Sequence, residues 1–250
     1  MNYIVPLVIF LLSPALHAAE ALPQLVPLLG ERGDVIFSES FDGPNPVPLR
    51  VIKNTMSEIA EGGVRLGTKI ERPEWGHGGI AFVYGPDRPP LGDFILEADF
   101  RWDVGQSFGF QFPRLREAGE PPHGIAPEFF IRFDRPKDAT QPGSWDIRDN
   151  AAEAAVGKHE ANAAPQLDAK RRVPSERKTV GEHKATFAPG QWHRIMIEVR
   201  NGEVAVQLSN GQSLRGKCNQ ASFPKMAPQI GTGPAGSEAV VDNIKINAFR

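Results

Sequence analysis

The sequence is poor in cysteine and in net charge, and each shortage excludes a class of protein. Cys218 is the only cysteine, so the chain can form neither an internal disulfide nor a cysteine-rich zinc site. Its 28 Lys and Arg nearly balance its 30 Asp and Glu, which leaves a formal charge of −2. So small a net charge provides no global field to attract nucleic acid or an anionic membrane. We therefore expect no nucleic-acid partner.

The motifs of several enzyme classes are also missing. His159-Glu160 lacks the second histidine of a zinc-peptidase motif. There is no glycine-rich phosphate loop, no nucleophile elbow of the Gly-x-Ser-x-Gly type and no EF-hand loop. We predict no cofactor and no metal site. A structural Ca²⁺ ion is compatible with the fold predicted below, but no acidic cluster in the sequence indicates one.

Long hydrophobic runs are absent except at the start of the chain. Tyr3–Leu12 is apolar and uncharged, and the small residues of Ala15–Ala19 suit a signal peptidase. A buried strand is the alternative interpretation. We predict a signal peptide over residues 1–18, a secreted or periplasmic protein, and one domain over 19–250. No later run is long enough for a membrane helix, so we expect no membrane insertion after cleavage.

Most of the remaining sequence alternates with a period of two. The clearest stretch is Asp93–Trp102, where five apolar residues face one way and charged residues face the other. Similar alternation recurs along the chain, and 25 Gly and 23 Pro provide many turns. This pattern predicts an all-β fold, a two-sheet antiparallel sandwich of the jelly-roll type.

Turn and bulge signals add topology in the last third. Asn201-Gly202 and Asn210-Gly211 separate three alternating stretches and predict a three-stranded meander with type I′ turns. Asp242-Asn243 interrupts the last strand and suggests a bulge.

Residues 151–184 break the strand pattern. They are rich in alanine at first, and from Lys158 to Lys184 they carry seven lysines and arginines. We predict a short helical or loop excursion there, because little of it can be buried. A basic loop suggests an anionic partner, and a solvated surface explains the same composition.

Five segments together resemble the concanavalin A-like, laminin-G-like jelly rolls of secreted bacterial proteins. They are Phe37–Asp42, Trp75–Gly79, Asp93–Arg101, Pro189–His193 and Val241–Ile246. Within this class, the sequence is similar to the 3-keto-disaccharide hydrolase-like domains. The resemblance covers about residues 35–250. It implies a carbohydrate partner that is bound or cleaved on a concave sheet and its rim loops.

Charged residues on the Asp93–Trp102 strand are the first candidates for chemistry. Glu97, Asp99 and Arg101 share one face, and paired carboxylates are what acid/base glycosidases need. The laminarinase-type members of the fold carry a further glutamate just after such a pair, and this chain lacks it. A solvated sheet face explains the same alternation.

The Trp75–Gly79 segment is the second candidate. Its three glycines leave room for a ligand, Trp75 offers a flat ring for a sugar, and His77 can transfer a proton near neutral pH. We therefore place the ligand site near Trp75 and His77, with Glu97, Asp99 and Arg101 as the next choices. A tight turn with Trp75 at the edge of the sandwich is the alternative.

Two further strands carry a third candidate set. Arg132 and Asp134 lie on one strand, and Asp146 and Arg148 lie on what we expect to be its neighbour. Planar Asp and Arg side chains suit sugar hydroxyls. Cross-strand ion pairs facing water explain them equally.

Three functions remain open. The first is a carbohydrate-binding or adhesive jelly roll without chemistry. The second is a glycoside hydrolase or lyase acting on 3-keto-glycosides, for which His77, Glu97 and Asp99 are the only catalytic candidates. The third is a structural envelope protein that uses the basic segment 158–184.

Overall fold

A computed structural model describes residues 21–44, 46, 49–52, 54–60, 62–70, 78–82, 90–115, 128–136, 141–150 and 177–250. This part of the chain contains fifteen β-strands and one short 3₁₀ helix, Asn219–Ser222, and no α-helix. The strands are β1 (Arg32–Glu39), β2 (Leu49–Ile52), β3 (Thr55–Ala60), β4 (Gly63–Thr68), β5 (Gly78–Phe82), β6 (Phe94–Val104), β7 (Ser107–Pro113), β8 (Glu128–Asp134), β9 (Gly143–Asn150), β10 (Arg177–Ala185), β11 (Trp192–Arg200), β12 (Glu203–Leu208), β13 (Ser213–Lys217), β14 (Gln229–Gly233) and β15 (Glu238–Phe249).

The strands form two antiparallel sheets, as the alternating sequence predicts. Sheet A has eight strands in the order β13-β12-β11-β6-β15-β4-β3, with β1 also paired to β15. Sheet B has seven strands in the order β10-β9-β8-β7-β14-β5-β2. Successive strands often change sheet, so that neighbours in space are distant in sequence, which is the topology of a jelly roll.

Aromatic side chains from both sheets make the core between them. Phe100 of sheet A lies 5.1 Å from the ring centre of Phe108 and 5.2 Å from that of Phe133, both of sheet B. Phe112 and Phe129 stack at 4.6 Å within sheet B. Each such ring is almost completely buried, and its burial contributes about 1.5–3 kcal/mol. The residues that alternate with these rings therefore lie on the outer faces of the sheets.

The predicted meander and bulge are both present. β11, β12 and β13 are consecutive neighbours, and Asn201 and Gly202 both have positive φ (52° and 75°), as a type I′ turn requires. The second turn differs, because only Gly211 has positive φ and its N–H donates to the carbonyl of Leu208. The bulge at Asp242 and Asn243 divides β15, whose first part pairs with β4 and whose second part pairs with β1.

The basic excursion differs in part from its prediction. Residues 177–185 form β10, which pairs with β9 at the edge of sheet B. Composition alone suggested a helix or loop because the segment has few apolar residues. Pairing with a neighbouring strand compensates for that scarcity. Residues 151–176 lie outside the described residues, and so does the predicted signal peptide, 1–18.

The segment just before β1 crosses the outer face of sheet A. We call residues 21–31 the strap. It contacts side chains of β11 and β12, among them Arg194, Glu198 and Gln207. The outer face of sheet A is therefore partly covered by the chain itself.

Candidate functional site

Three glycines lie side by side on the outer face of sheet B. Gly231 of β14 is paired with Gly109 of β7 on one side and with Gly79 of β5 on the other. Their chain neighbours, such as Phe108 and Ile230, point into the core. We call Gly79, Gly109 and Gly231 the glycine row. At the usual spacing between strands it gives about 10 Å of sheet without side chains.

The packing of the strands disfavours a side chain at these positions, most strongly at Gly109. A Cβ on Gly109 would overlap the carbonyl oxygen of Ile131 on the adjacent strand, and one on Gly79 would lie 2.8 Å from the carbonyl oxygen of Ile230. At Gly231 the added atom would lie 3.1 Å from the carbonyl oxygen of Gly78, a tight but smaller conflict. Gly109 and Gly231 remain partly exposed, whereas Gly79 is buried. A ligand can therefore approach the backbone most closely at Gly109 and Gly231.

Four charged side chains of β8 and β9 lie beside the glycine row, and two of them, Arg132 and Asp146, continue it in register. Arg132 is paired in register with Gly109 on one side and with Asp146 on the other. Arg132 contacts Asp134 at 2.8 Å, and Arg148 contacts Asp146 at 2.6 Å and Asp134 at 3.4 Å. We call these four residues the Arg–Asp ladder. Its two positive and two negative charges balance one another beside the glycine row.

An aromatic ring and an amide border the glycine row on one side. Phe130 of β8 is partly exposed, and the guanidinium carbon of Arg148 lies 5.7 Å from its ring centre. Gln111 of β7 is paired in register with Phe130, and its Nε2 reaches to 3.6 Å from the position that a Cβ on Gly231 would take. This face of sheet B thus combines an apolar ring with hydrogen-bonding groups at the edge of bare backbone.

Burial changes the acidity of one ladder carboxyl. Asp146 is only 5% exposed, and its loss of water raises its pKa above the ordinary value, although the hydrogen bond and charge of Arg148 act in the opposite direction. The carboxyl is held by Arg148 through both its oxygens. Asp146 is thereby fixed in orientation as a hydrogen-bonding group.

The charged residues of β6 lie on the other sheet and have partners of their own. Glu97 forms an ion pair with Arg32 at 2.7 Å, and Asp99 binds Arg194 through both oxygens at 2.7 and 2.8 Å. Arg101 contacts Asp103 at 3.0 Å. The structure therefore separates these three candidates from the Arg–Asp ladder by the full thickness of the sandwich.

Trp75 and His77 lie outside the described residues. The strand that follows them, β5, belongs to sheet B, whereas β6 belongs to sheet A. The expectation of one site that contains Trp75 and His77 together with Glu97, Asp99 and Arg101 is not tested by the described residues and stays a prediction. Of the predicted sets, the structure brings together Arg132, Asp134, Asp146 and Arg148.

The glycine row was not predicted from the sequence. Each of its glycines occupies a position where a solvent-facing polar residue is the norm, in strands that otherwise alternate regularly. That signal is present in Phe108-Gly109-Phe110 and in Gln229-Ile230-Gly231. The alignment of the three positions depends on strand register, which is set by contacts between distant parts of the chain.

Two features are absent from the described residues, a metal-ligand cluster and a membrane-spanning helix. Among them, no group of three or more His, Cys, Asp or Glu side chains is arranged to hold a metal ion. Within the same ranges no helix has the length and apolar character to cross a bilayer.

Comparison with solved structures gives the class of fold. The carbohydrate-binding module CBM66 from Bacillus subtilis is similar with a TM-score of 0.52 at 11% identity, over 80% of this chain and 95% of that chain. A Bacillus subtilis protein of unknown function with a galectin-like fold gives 0.54 at 10%, over 88% and 98%. A structure from work on endo-acting O-glycanases of the human gut microbiota gives 0.54 at 15%, over 87% and 100%.

These similarities establish a galectin-like jelly-roll β-sandwich. At such low identity they show the fold alone. No family model matches the sequence. No curated protein matches it either.

Proposed function

We propose that the protein binds carbohydrate on the outer face of sheet B. The observation that carries this proposal is the glycine row, which is bordered on its β8 side by the ring of Phe130 and by the Arg–Asp ladder. The similarity in fold to a carbohydrate-binding module and to a galectin-like protein supports it.

The chemistry of a sugar ring matches these three parts. The C–H face of a ring packs against an aromatic side chain, and bare backbone at Gly109 and Gly231 lets the ring lie close to the sheet. Asp and Arg side chains that are already held in place provide acceptors and donors for hydroxyl groups. Because their partners fix them in advance, little side-chain entropy is lost on binding.

The ion pairs of the candidate carboxylates favour binding of carbohydrate without cleavage. A glycosidase needs one carboxyl that donates a proton and a second that acts as base or nucleophile. Glu97 and Asp99 are both engaged by arginines on sheet A, and Asp134 and Asp146 are engaged on sheet B. Activity on 3-keto-glycosides stays a prediction of the sequence resemblance, and export stays a prediction of the apolar start of the chain.

A single added methyl group tests the proposed site. We expect Gly231→Ala to weaken binding at least about tenfold to a glycan selected by the wild-type protein on a polysaccharide array, since the methyl group stands where the ring would lie. Gly92→Ala is the matched control, because a Cβ there would meet nothing within 4 Å.

Binding would be measured by isothermal titration, with circular dichroism to confirm the fold of each variant. Equal affinity of Gly231→Ala, Gly92→Ala and wild type would overturn the assignment of the site. Failure of the wild-type protein to bind any glycan on the array would overturn the proposed function itself.

A further inference from the structure

The strap crosses sheet A without pairing as a strand. Residues 21–27 have no regular secondary structure, and the strands of sheet A are complete without them, because β1 begins only at Arg32. An extended segment of this kind still needs partners for its backbone N–H and C=O groups. Side chains of sheet A provide them.

Glu198 is the centre of these contacts. Its carboxylate is fully buried and accepts hydrogen bonds from the backbone N–H of Leu28 at 2.8 Å and of Leu29 at 2.7 Å. The side-chain amide of Gln207 donates to Glu198 at 3.3 Å and to the carbonyl of Val26 at 2.7 Å. Hydrogen bonds to a buried charged group are among the stronger ones in proteins.

Arginines bind the carbonyl groups of the strap. Arg194 donates to Leu22 at 3.2 Å, and Arg200 donates to Leu29 at 2.7 Å. Arg32, at the start of β1, donates to the carbonyl of Leu25 at 2.7 Å. These groups are spaced along the strap from one end to the other.

The contacts recognise the backbone more than the side chains. Val26 is 72% exposed and Leu28 is 45% exposed, so neither is held in an apolar pocket. Gly30 differs from these residues, because a Cβ there would overlap the guanidinium group of Arg200, so the contacts at this position favour glycine. The face thus fits an extended peptide with a glycine at that position.

We propose that the outer face of sheet A is a peptide-binding groove and that the strap is its tethered ligand. The groove is formed by Arg194, Glu198, Arg200 and Gln207. The same contacts accept this segment when it is supplied by another molecule, so a second copy of the chain is the partner that the groove fits. This surface is separate from the proposed carbohydrate site, which lies on the opposite sheet.

Cutting the tether in the full-length protein tests this proposal. A protease recognition sequence inserted between Gly30 and Glu31 allows the folded chain to be cleaved there. We expect the cleaved protein to stay folded and to exchange its strap for a fluorescent peptide of residues 21–30, as measured by anisotropy. The uncleaved protein has its groove filled and is expected to bind the peptide at least about tenfold more weakly.

Two substitutions locate the binding. Glu198→Gln in the cleaved protein is expected to weaken the peptide about 10- to 100-fold, because it removes the charge that receives two backbone N–H groups. Glu203→Gln on the adjacent strand is the matched control, since Glu203 pairs with Arg215 and does not touch the strap.

Three results would overturn the proposal. They are unfolding of the cleaved wild-type protein, retention of the original strap against excess labelled peptide, and loss of the strap without any peptide binding. If Glu198→Gln does not fold, the exchange measured with the cleaved wild-type protein still decides. A peptide with alanine in place of Gly30 provides an independent arm and is expected to bind more weakly, because Arg200 has to move away from the carbonyl of Leu29 to admit the added Cβ.

Discussion

The two outer faces of the sandwich treat their charged residues differently. On sheet A, Glu198 and Arg194 use their hydrogen bonds to hold the strap, a part of the same chain. On sheet B, Arg132 and Asp146 are partnered within the Arg–Asp ladder, beside backbone that carries no side chains. Charges on one face therefore hold a further segment of the chain, and the charges of the ladder pair with one another. An alternating charged strand looks the same in sequence in both cases.

Removing the central strap contact is expected to have the largest effect. Glu198→Ala leaves the N–H groups of Leu28 and Leu29 without their acceptor and creates a cavity, so we expect a loss of about 3 kcal/mol or more in the free energy of unfolding. Urea denaturation measures it. Glu203→Ala, in an exposed ion pair with Arg215, is the control and is expected to cost less than about 1 kcal/mol. Equal losses of unfolding free energy in the two variants would contradict the claim that the buried charge on sheet A stabilises the fold more than the exposed one.

Glycines of the same row are expected to differ in stability. Gly109→Ala forces a Cβ into the carbonyl of Ile131, and we expect a loss of about 1–3 kcal/mol. Gly231→Ala conflicts less, at 3.1 Å, and also restricts the unfolded chain, so we expect a loss below about 1 kcal/mol. Urea midpoints of both variants check this order, and a reversed order would contradict the packing described for the glycine row.

The pH dependence of stability provides a third test, on the sheet A side. Burial, together with the nearby charges of Asp42, Asp99 and Glu39, raises the pKa of Asp242 from 3.8 to about 6. The folded state thus binds this proton more tightly than the unfolded state, and its stabilisation is complete below about pH 4 and lost as pH rises through about 6.

Asp242→Asn removes this titration. Because Asp242 is partly exposed, we expect the variant to be more stable than wild type by only about 1 kcal/mol at pH 8, with the difference disappearing near pH 4. Thermal melts of both proteins across this range measure it. A difference independent of pH would mean that the substitution acts through packing.

The smallest effect is expected in the Arg–Asp ladder. Arg132→Ala removes a contact to Asp134 in which both side chains are partly exposed, so we expect a change in the free energy of unfolding below about 1 kcal/mol. Urea denaturation compares this change in unfolding free energy with the larger loss expected for Glu198→Ala. A loss as large as that of Glu198→Ala would show that the ladder also serves the fold.

The sequence was sufficient for the fold because its signals are local. Alternation in Phe94–Trp102, the Asn201-Gly202 turn and the bulge at Asp242 each depend on neighbouring residues, and all three are present in the structure. The exception, β10, has too few apolar residues to be distinguished from a loop until it pairs with β9.

The site was harder to predict because its parts meet only through strand register. Arg132 and Asp146 were expected on neighbouring strands, and they are paired directly. The glycine row joins β5, β7 and β14, which are far apart along the chain. The partners of Glu97 and Asp99, Arg32 and Arg194, come from other strands, so the sequence could not show that these carboxylates are occupied.

One pair of substitutions tests most directly which face binds the ligand. Phe130→Ala removes the aromatic border on sheet B, and Arg101→Ala removes a charge on the outer face of sheet A. With a glycan bound by the wild-type protein, isothermal titration is expected to show at least about a tenfold weaker affinity for Phe130→Ala and an unchanged affinity for Arg101→Ala. Loss of binding in Arg101→Ala with full binding in Phe130→Ala would contradict the assignment of the carbohydrate site to sheet B.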